Sequence, residues 1–194
     1  SEPLLSDDSL FVLMTESIPS LIAFVCVYGL IVFFHEFGHY SVGRWLARIP
    51  ASKIKVVLLD FPQHVALRDE NGWVKPQEQP RYGEIYSEYN TERTQFQHLD
   101  LYTAGGLIGQ TVGVVVIGGL LLVAGERLWV ERFVELSMLL SGSYFVFDIG
   151  SYLSSSRKDR YTGDFSALWM YSPAGTLMVI SFVLLMHGSL YFLL

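Results

Sequence analysis

The sequence predicts an all-α membrane bundle of about four transmembrane helices, with a small β-hairpin element on its cytoplasmic side. Three observations lead there. Of 194 residues, 51% are hydrophobic, and the mean hydropathy of +0.37 is too high for an ordinary water-soluble domain. Charged residues make up 16% and gather between long apolar runs instead of striping them. Four of those runs, at about 18–43, 101–124, 133–153 and 174–194, reach the roughly 20 residues a helix needs to cross a hydrocarbon core.

In chain order, Leu4–Met14 is apolar but short, and Ser6, Asp7 and Asp8 interrupt it, which suits a segment lying in the interface. The stretch before the first long run is acidic (Glu2, Asp7, Asp8, Glu16), so no cleavable signal is expected. A polar insertion, about 50–100, separates the first two spans. Within it Ser52–Asp60 has β-rich composition, and His64–Lys75 sets Asn71-Gly72 between two strand-like runs, a hairpin signal. Gln77–Gln97 is polar, holds Pro80 and Gly83, and reads as loop with little regular structure. The second span carries Gly105, Gly106, Gly109 and Gly113, small residues that let helix backbones approach closely. No internal repeat divides the chain, against the two-halves architecture of many transporters. Residues 1–194 therefore read as a single integral membrane domain.

Of the 13 Lys and Arg residues, Arg44, Arg48, Lys53, Lys55, Arg68, Lys75, Arg81 and Arg93 follow the first span, and Arg157, Lys158 and Arg160 follow the third. Arg127 and Arg132 fall on the opposite side. The positive-inside rule puts both termini outside and the two basic loops in the cytoplasm. Short loops and the lack of a sorting signal make a bacterial cytoplasmic membrane the expected location. A net charge of -6 and a pI near 5.3 leave no overall basic footprint, so nucleic acid is not an expected partner. Cys26 is the one cysteine; it cannot form an intrachain disulfide and suits a small buried or lipid-facing position.

Inside the first span the chain reads LIVFFHEFGHYSVGRWLA. His35 and His39 stand four apart, so on a helix they share a face and can direct two imidazoles at one Zn2+ ion. Glu36 then lies beside the open position of that ion. Water on zinc has its pKa lowered to about 7, and an adjacent carboxylate can take its proton as the water attacks a carbonyl carbon. The plainer reading is two histidines and a glutamate hydrogen-bonded inside a bundle. Against it, the pattern arises by chance in roughly 1% of chains of this composition. Ionisable residues at span depth also cost on the order of 2.5–3.5 kcal/mol each on insertion scales, so this cluster calls for a compensating partner such as a metal.

HEFGHYSVGRWLA resembles the metal-binding helix of the site-2 protease family of intramembrane zinc metalloproteases. LYTAGGLIGQTVG is similar to the small-residue helix that follows in that family. SYFVFDIGSYLSSSRKDRYTGDFSALWMYSPAG is similar to the end of a compact branch, in which a Tyr-Asp-Ile-like element precedes a Ser-Asp-Ala-like one. Together these stretches make up 59 of the 194 residues. The resemblance implies Zn2+ as cofactor, Glu36 as catalytic base, and hydrolysis of membrane-spanning protein substrates at or within the lipid bilayer. Better-known branches take the third ligand from an aspartate in Leu-Asp-Gly. Here Phe-Asp-Ile-Gly and Thr-Gly-Asp-Phe stand instead, which leaves Asp148 and Asp164 as alternatives.

A catalytic zinc takes three protein ligands and keeps one position open. Asp148 lies about six residues inside the end of the third span, roughly 9 Å at 1.5 Å per residue. His39 lies similarly deep from Arg44 on the same side, so equal depth favours Asp148. Asp164 precedes FSALW and can either cap the last helix or dip back to the metal. His187 falls toward the outer end of the last span and reads as hydrogen-bonded in the bundle. His64 and His98 read as surface histidines, Asp60 and Glu84 as solvated charges. The insertion's β element is expected to take up an extended substrate strand by main-chain pairing. Two other functions compete: a protease-like but non-catalytic scaffold in a larger membrane complex, and a small channel with His35, Glu36 and Asp148 along an ion path. The intact Glu36 argues against the first, the lack of a repeat against the second.

Overall fold

The structure is a computed structural model that describes residues 7–89, 98–154 and 163–194, with side chains at 21–89, 101–154 and 163–194. Among these the elements run α1 (Asp7–Ser41), β1 (Ile54–Val57), β2 (His64–Asp69), β3 (Gly72–Val74), α2 (Arg81–Glu88), α3 (His98–Val123), α4 (Arg127–Ser154), α5 (Asp164–Tyr171) and α6 (Pro173–Phe192). Four stretches are long and apolar enough to cross a membrane: Leu21–Leu46, Leu101–Val123, Arg127–Ser154 and Pro173–Phe192. The fold is the all-α bundle with a small antiparallel sheet that the sequence predicts. Its outer surface displays Leu21, Val25, Cys26, Val116, Leu120, Leu139 and Leu184, a coat that suits hydrocarbon and not water.

Where lipid removes the hydrophobic drive between helices, close backbone approach takes its place. α1 and α3 cross in this way. A Cβ on Gly38 would lie 2.0 Å from Gly105 O, and one on Gly109 would lie 2.6 Å from Gly38 Cα. Beside the crossing, Gly113 leaves room for the Phe34 ring.

α1 ends in a π-helical turn, Val42–Leu46, closed by Ala47 N–H to Val42 O at 3.0 Å and Ile49 N–H to Gly43 O at 3.0 Å. Arg48 takes the left-handed conformation, φ 59, that ends helices. The turn drops Ile49 into a core with Ile54, Leu67, Val74 and Tyr86. The strands pair antiparallel in the order β1-β2-β3, with Ile54 opposite Leu67 and Asp69 opposite Gly72. At the β2–β3 reversal Asn71 N–H donates to Asp69 Oδ1 at 2.7 Å, and Gly72 has φ 130, which an L side chain opposes. The Asn71-Gly72 signal thus marks a real hairpin, and Ser52–Asp60 contributes the third strand.

Two expectations are revised. Gln77–Gln97 is not loop throughout: Arg81–Glu88 forms α2, because Tyr82, Ile85 and Tyr86 recur at helical spacing and bury against the sheet. Pro80 precedes its first turn instead of breaking it, and residues 90–97 lie outside the described residues. Leu4–Met14 is not a segment apart: from Asp7 the chain already belongs to α1, and acidic residues suit a first helical turn. Residues 1–6 lie outside the described residues.

Tyr102, near the start of α3, fastens the sheet to the bundle. Its hydroxyl is hydrogen-bonded to that of Tyr82, which donates to Val65 O at 2.9 Å. At the same end of the bundle α4 passes to α5, and α5 to α6 through Ser172, whose Oγ accepts from Gly175 N–H at 3.1 Å ahead of Pro173. Asp164 therefore begins a separate short helix, not the last span.

Candidate metal centre

His35 and His39 lie one turn apart on α1, with Nε2 atoms 3.3 Å from each other. Asp164, the first residue of α5, brings Oδ2 to 3.0 Å from His35 Nε2 and 3.1 Å from His39 Nε2. These three form a group able to hold a metal ion. Ligands 2.0–2.1 Å from a tetrahedral zinc stand about 3.3 Å from one another, so the observed separations match one face of such a site.

The far side of each ring fixes which nitrogen faces the group. His39 Nδ1–H donates to Tyr102 O at 2.7 Å, since a carbonyl can only accept. His35 Nδ1 lies 3.2 Å from Gln110 Oε1. With protons on Nδ1, each ring can present an Nε2 lone pair to the common point, the form in which imidazole binds metal. The sheet enters here too, because the Tyr82–Tyr102 hydroxyl pair holds the backbone whose carbonyl orients His39.

Gly106 on α3 gives the rings their room. A Cβ there would lie 2.3 Å from His39 Nε2 and 2.6 Å from His35 Nε2. Glu36 is buried, at 7% exposure, and no hydrogen bond ties its carboxylate to another described residue. A buried carboxylate in that position calls for a partner beyond the described residues, for which a bound water or ion is suited. The donor set, the cradle and the unsatisfied carboxylate all fit a zinc ion with an attendant water. Tyr144 on α4 completes the surroundings: its ring is 5.9 Å from that of His35, its hydroxyl is hydrogen-bonded with Tyr28, and it feels the charges of Glu36 and Asp164. The sequence gives no signal for it, one of 11 tyrosines in an apolar run.

Asp148, favoured as third ligand on depth, is engaged elsewhere. Its Oδ2 accepts from Ser166 N–H at 2.7 Å and its Oδ1 from the Ser166 hydroxyl at 2.6 Å. The N-cap of α5 is Gly163, which has no side chain to accept from the helix's first amides. Asp148 supplies that acceptor from α4, with its charge at the positive end of α5. Gly163 lies so near that a Cβ on it would come within 2.9 Å of Asp148 Cγ. The structure thus sets Asp164 beside the imidazoles and Asp148 behind Asp164.

The other candidates sit apart from the group. His187 is buried in the bundle, with Nε2 2.8 Å from Ser137 Oγ and Nδ1 2.8 Å from Val183 O. His64, expected at the surface, is buried at the start of β2, where four successive residues are buried and both faces of the strand are covered; its Nδ1 lies 2.8 Å from Pro62 O. The His98 side chain lies outside the described residues. Asp60 pairs with Lys75, and Glu84 is exposed in the first turn of α2. The chain matches no protein-family profile, no curated protein and no solved structure with which it was compared.

Proposed function

We propose that the chain is a zinc metalloendopeptidase of the membrane, acting on membrane-spanning protein substrates at or within the bilayer. The observation that supports this most is the convergence of His35 Nε2, His39 Nε2 and Asp164 Oδ2 within 3.3 Å of one another, beside the buried Glu36. His35, His39 and Asp164 would hold the ion. Zinc bound there supplies a Lewis acid for the scissile carbonyl and a water whose pKa is lowered to about 7. Glu36 would act as the base that accepts a proton from the attacking water and as the acid that returns it to the amine nitrogen when the C–N bond breaks. One water is consumed, and a carboxylic acid and an amine are released.

The site lies inside the sheet end of the bundle, His39 being about 10 Å along the helix from Leu46 at 1.5 Å per residue. The Lys- and Arg-rich stretches adjoin that end in sequence, which supports a cytoplasmic site with the termini outside, in a bacterial cytoplasmic membrane. β1 is an edge of the sheet, and its outer main-chain groups suit an extended substrate strand. Cleavage unchanged after proline replaces Lys55 and Val56 would reject that docking role.

The test of the enzyme reading is Glu36→Gln, in purified chain reconstituted with transmembrane peptides. Zinc content should match wild type while cleavage disappears. Turnover retained by the variant would sink the assignment of Glu36. Zinc bound without turnover in the wild type would point to a scaffold in a larger membrane complex.

A further inference from the structure

We propose that the protonation pattern of His35 is dictated by a chain of hydrogen bonds starting at the backbone carbonyl of Val183 on α6, and that Gln110 is the positioning residue that delivers it. The inference rests on the metal reading above and extends it to residues that touch no reacting atom.

Each bond in the chain fixes the next. Val183 O can only accept, so His187 Nδ1, 2.8 Å away, carries a proton. In its buried, apolar setting the ring is neutral, which leaves a lone pair on Nε2. Ser137 Oγ lies 2.8 Å from that lone pair and must donate to it. Its only proton spent, Ser137 Oγ accepts from Gln110 Nε2 at 3.0 Å; the Ser137 carbonyl, which can only accept, lies 3.3 Å from the same nitrogen, and Ser141 Oγ 2.9 Å. The amide nitrogen of Gln110 therefore faces α4 and its oxygen faces His35 Nδ1 at 3.2 Å. Amide orientation is ordinarily an assignment, but here the hydrogen-bond sequence leaves one choice. An acceptor at Nδ1 requires the proton there and keeps the Nε2 lone pair turned toward His39 and Asp164.

Gln110, Ser137 and His187 are each at most 1% exposed, so no solvent exchange blurs the direction of the chain. Polar groups at that depth are commonly glue between helices. Glue needs satisfied partners, but it does not need a fixed direction, nor an end on the ring nitrogen opposite a converging carboxylate. His187, remote from the metal group, thereby becomes a contributor to it.

The experiment combines zinc affinity, by competition with a chelator, and nitrogen NMR of histidine-labelled chain in detergent. The zinc-loaded wild type should show His35 bound through Nε2 with its proton on Nδ1, and His187 with its proton on Nδ1 with or without zinc. Gln110→Leu keeps the bulk, removes the acceptor, and should weaken zinc binding roughly 10- to 100-fold. Gln110→Glu keeps an acceptor and should recover most of that loss. If Gln110→Leu fails to fold, Gln110→Met serves: it is long, flexible and without an amide acceptor, so a positioning role predicts weaker zinc binding and mere glue predicts unchanged binding. Unchanged affinity in folded Gln110→Leu, equal loss in Gln110→Glu, or a proton on His187 Nε2 would each overturn the proposal. A wild type that takes up no zinc sinks the metal reading on its own, and the His187 proton still decides the chain.

Discussion

Adding one methyl group at Gly106 should destroy the metal site and leave the fold standing. The Cβ would lie 2.3 Å from His39 Nε2, 2.6 Å from His35 Nε2 and 2.7 Å from His35 Cε1. Non-bonded carbon and nitrogen atoms rest about 3.5 Å apart, so the rings would have to retreat by about 1 Å. A metal site tolerates departures of about 0.2 Å in its ligand distances. Neither ring retreats freely, since His39 is held by Tyr102 O at 2.7 Å and His35 by Gln110 at 3.2 Å. The atoms nearest that methyl are ring atoms and not backbone, so helix packing has little to lose. Gly106→Ala should therefore lose zinc affinity by at least about 100-fold, the upper end for disturbing what holds a ligand, with a nearly unchanged melting temperature. Elemental analysis, chelator competition and a thermal melt in detergent would read both. Gly105→Ala is the contrast: its Cβ would meet Gly38 O at 2.9 Å, a backbone clash that should lower the melting temperature. One tightly held zinc per chain in Gly106→Ala would refute the placement of the two imidazoles or their role as ligands.

Other outcomes follow from the same geometry. Asp164→Ala should remove zinc from the purified chain, whereas Asp148→Ala keeps all three donors and loosens the start of α5 by about 1.5–3 kcal/mol, the worth of hydrogen bonds to a charged group. Zinc loss confined to Asp148→Ala would reverse the two roles. Asp60 titrates below the usual carboxylate range, first because Lys75 hydrogen-bonds to it. A pKa lowered by folding contributes stability above the unfolded value, near 4, and that stability is lost as pH falls through the folded value. Hydrogen-exchange protection in the sheet should decline below about pH 4, and decline less in Lys75→Gln; identical profiles would contradict the pairing.

The bundle was legible because lipid imposes one crude requirement, a long apolar run, and the chain meets it four times. The hairpin was legible because a tight reversal needs a residue such as Gly72 at φ 130. α2 was not, since Pro80 and Gly83 outweigh the spacing of Tyr82, Ile85 and Tyr86 until a sheet is present for those side chains to cover. His64 escaped for a related reason: it shares a face of β2 with Ala66, opposite Val65 and Leu67, and the burial of both faces comes from tertiary packing that no single residue announces. The His35–His39 pair was plain because two ligands on one helix are fixed in mutual geometry by local sequence alone.

The third donor shows where such reasoning stops. Depth in the membrane puts Asp148 level with His39, and a carboxylate in a span does demand an explanation. The explanation the structure offers is capping, because α5 begins at Gly163 with no acceptor of its own and Asp148 reaches Ser166 N–H from another helix. That need arises only once α5 folds back over α4, so it is invisible in a linear reading. The two aspartates are then interdependent: Asp164 stands at the first position of the helix that Asp148 caps, and a shift of that helix start moves Oδ2 away from both imidazoles. A short helix of eight residues has little cooperative stability of its own. Its placement must come from its cap and from the burial of Phe165 and Leu168, so the precision of the metal group at one end of the bundle rests on a hydrogen bond made by a residue outside it.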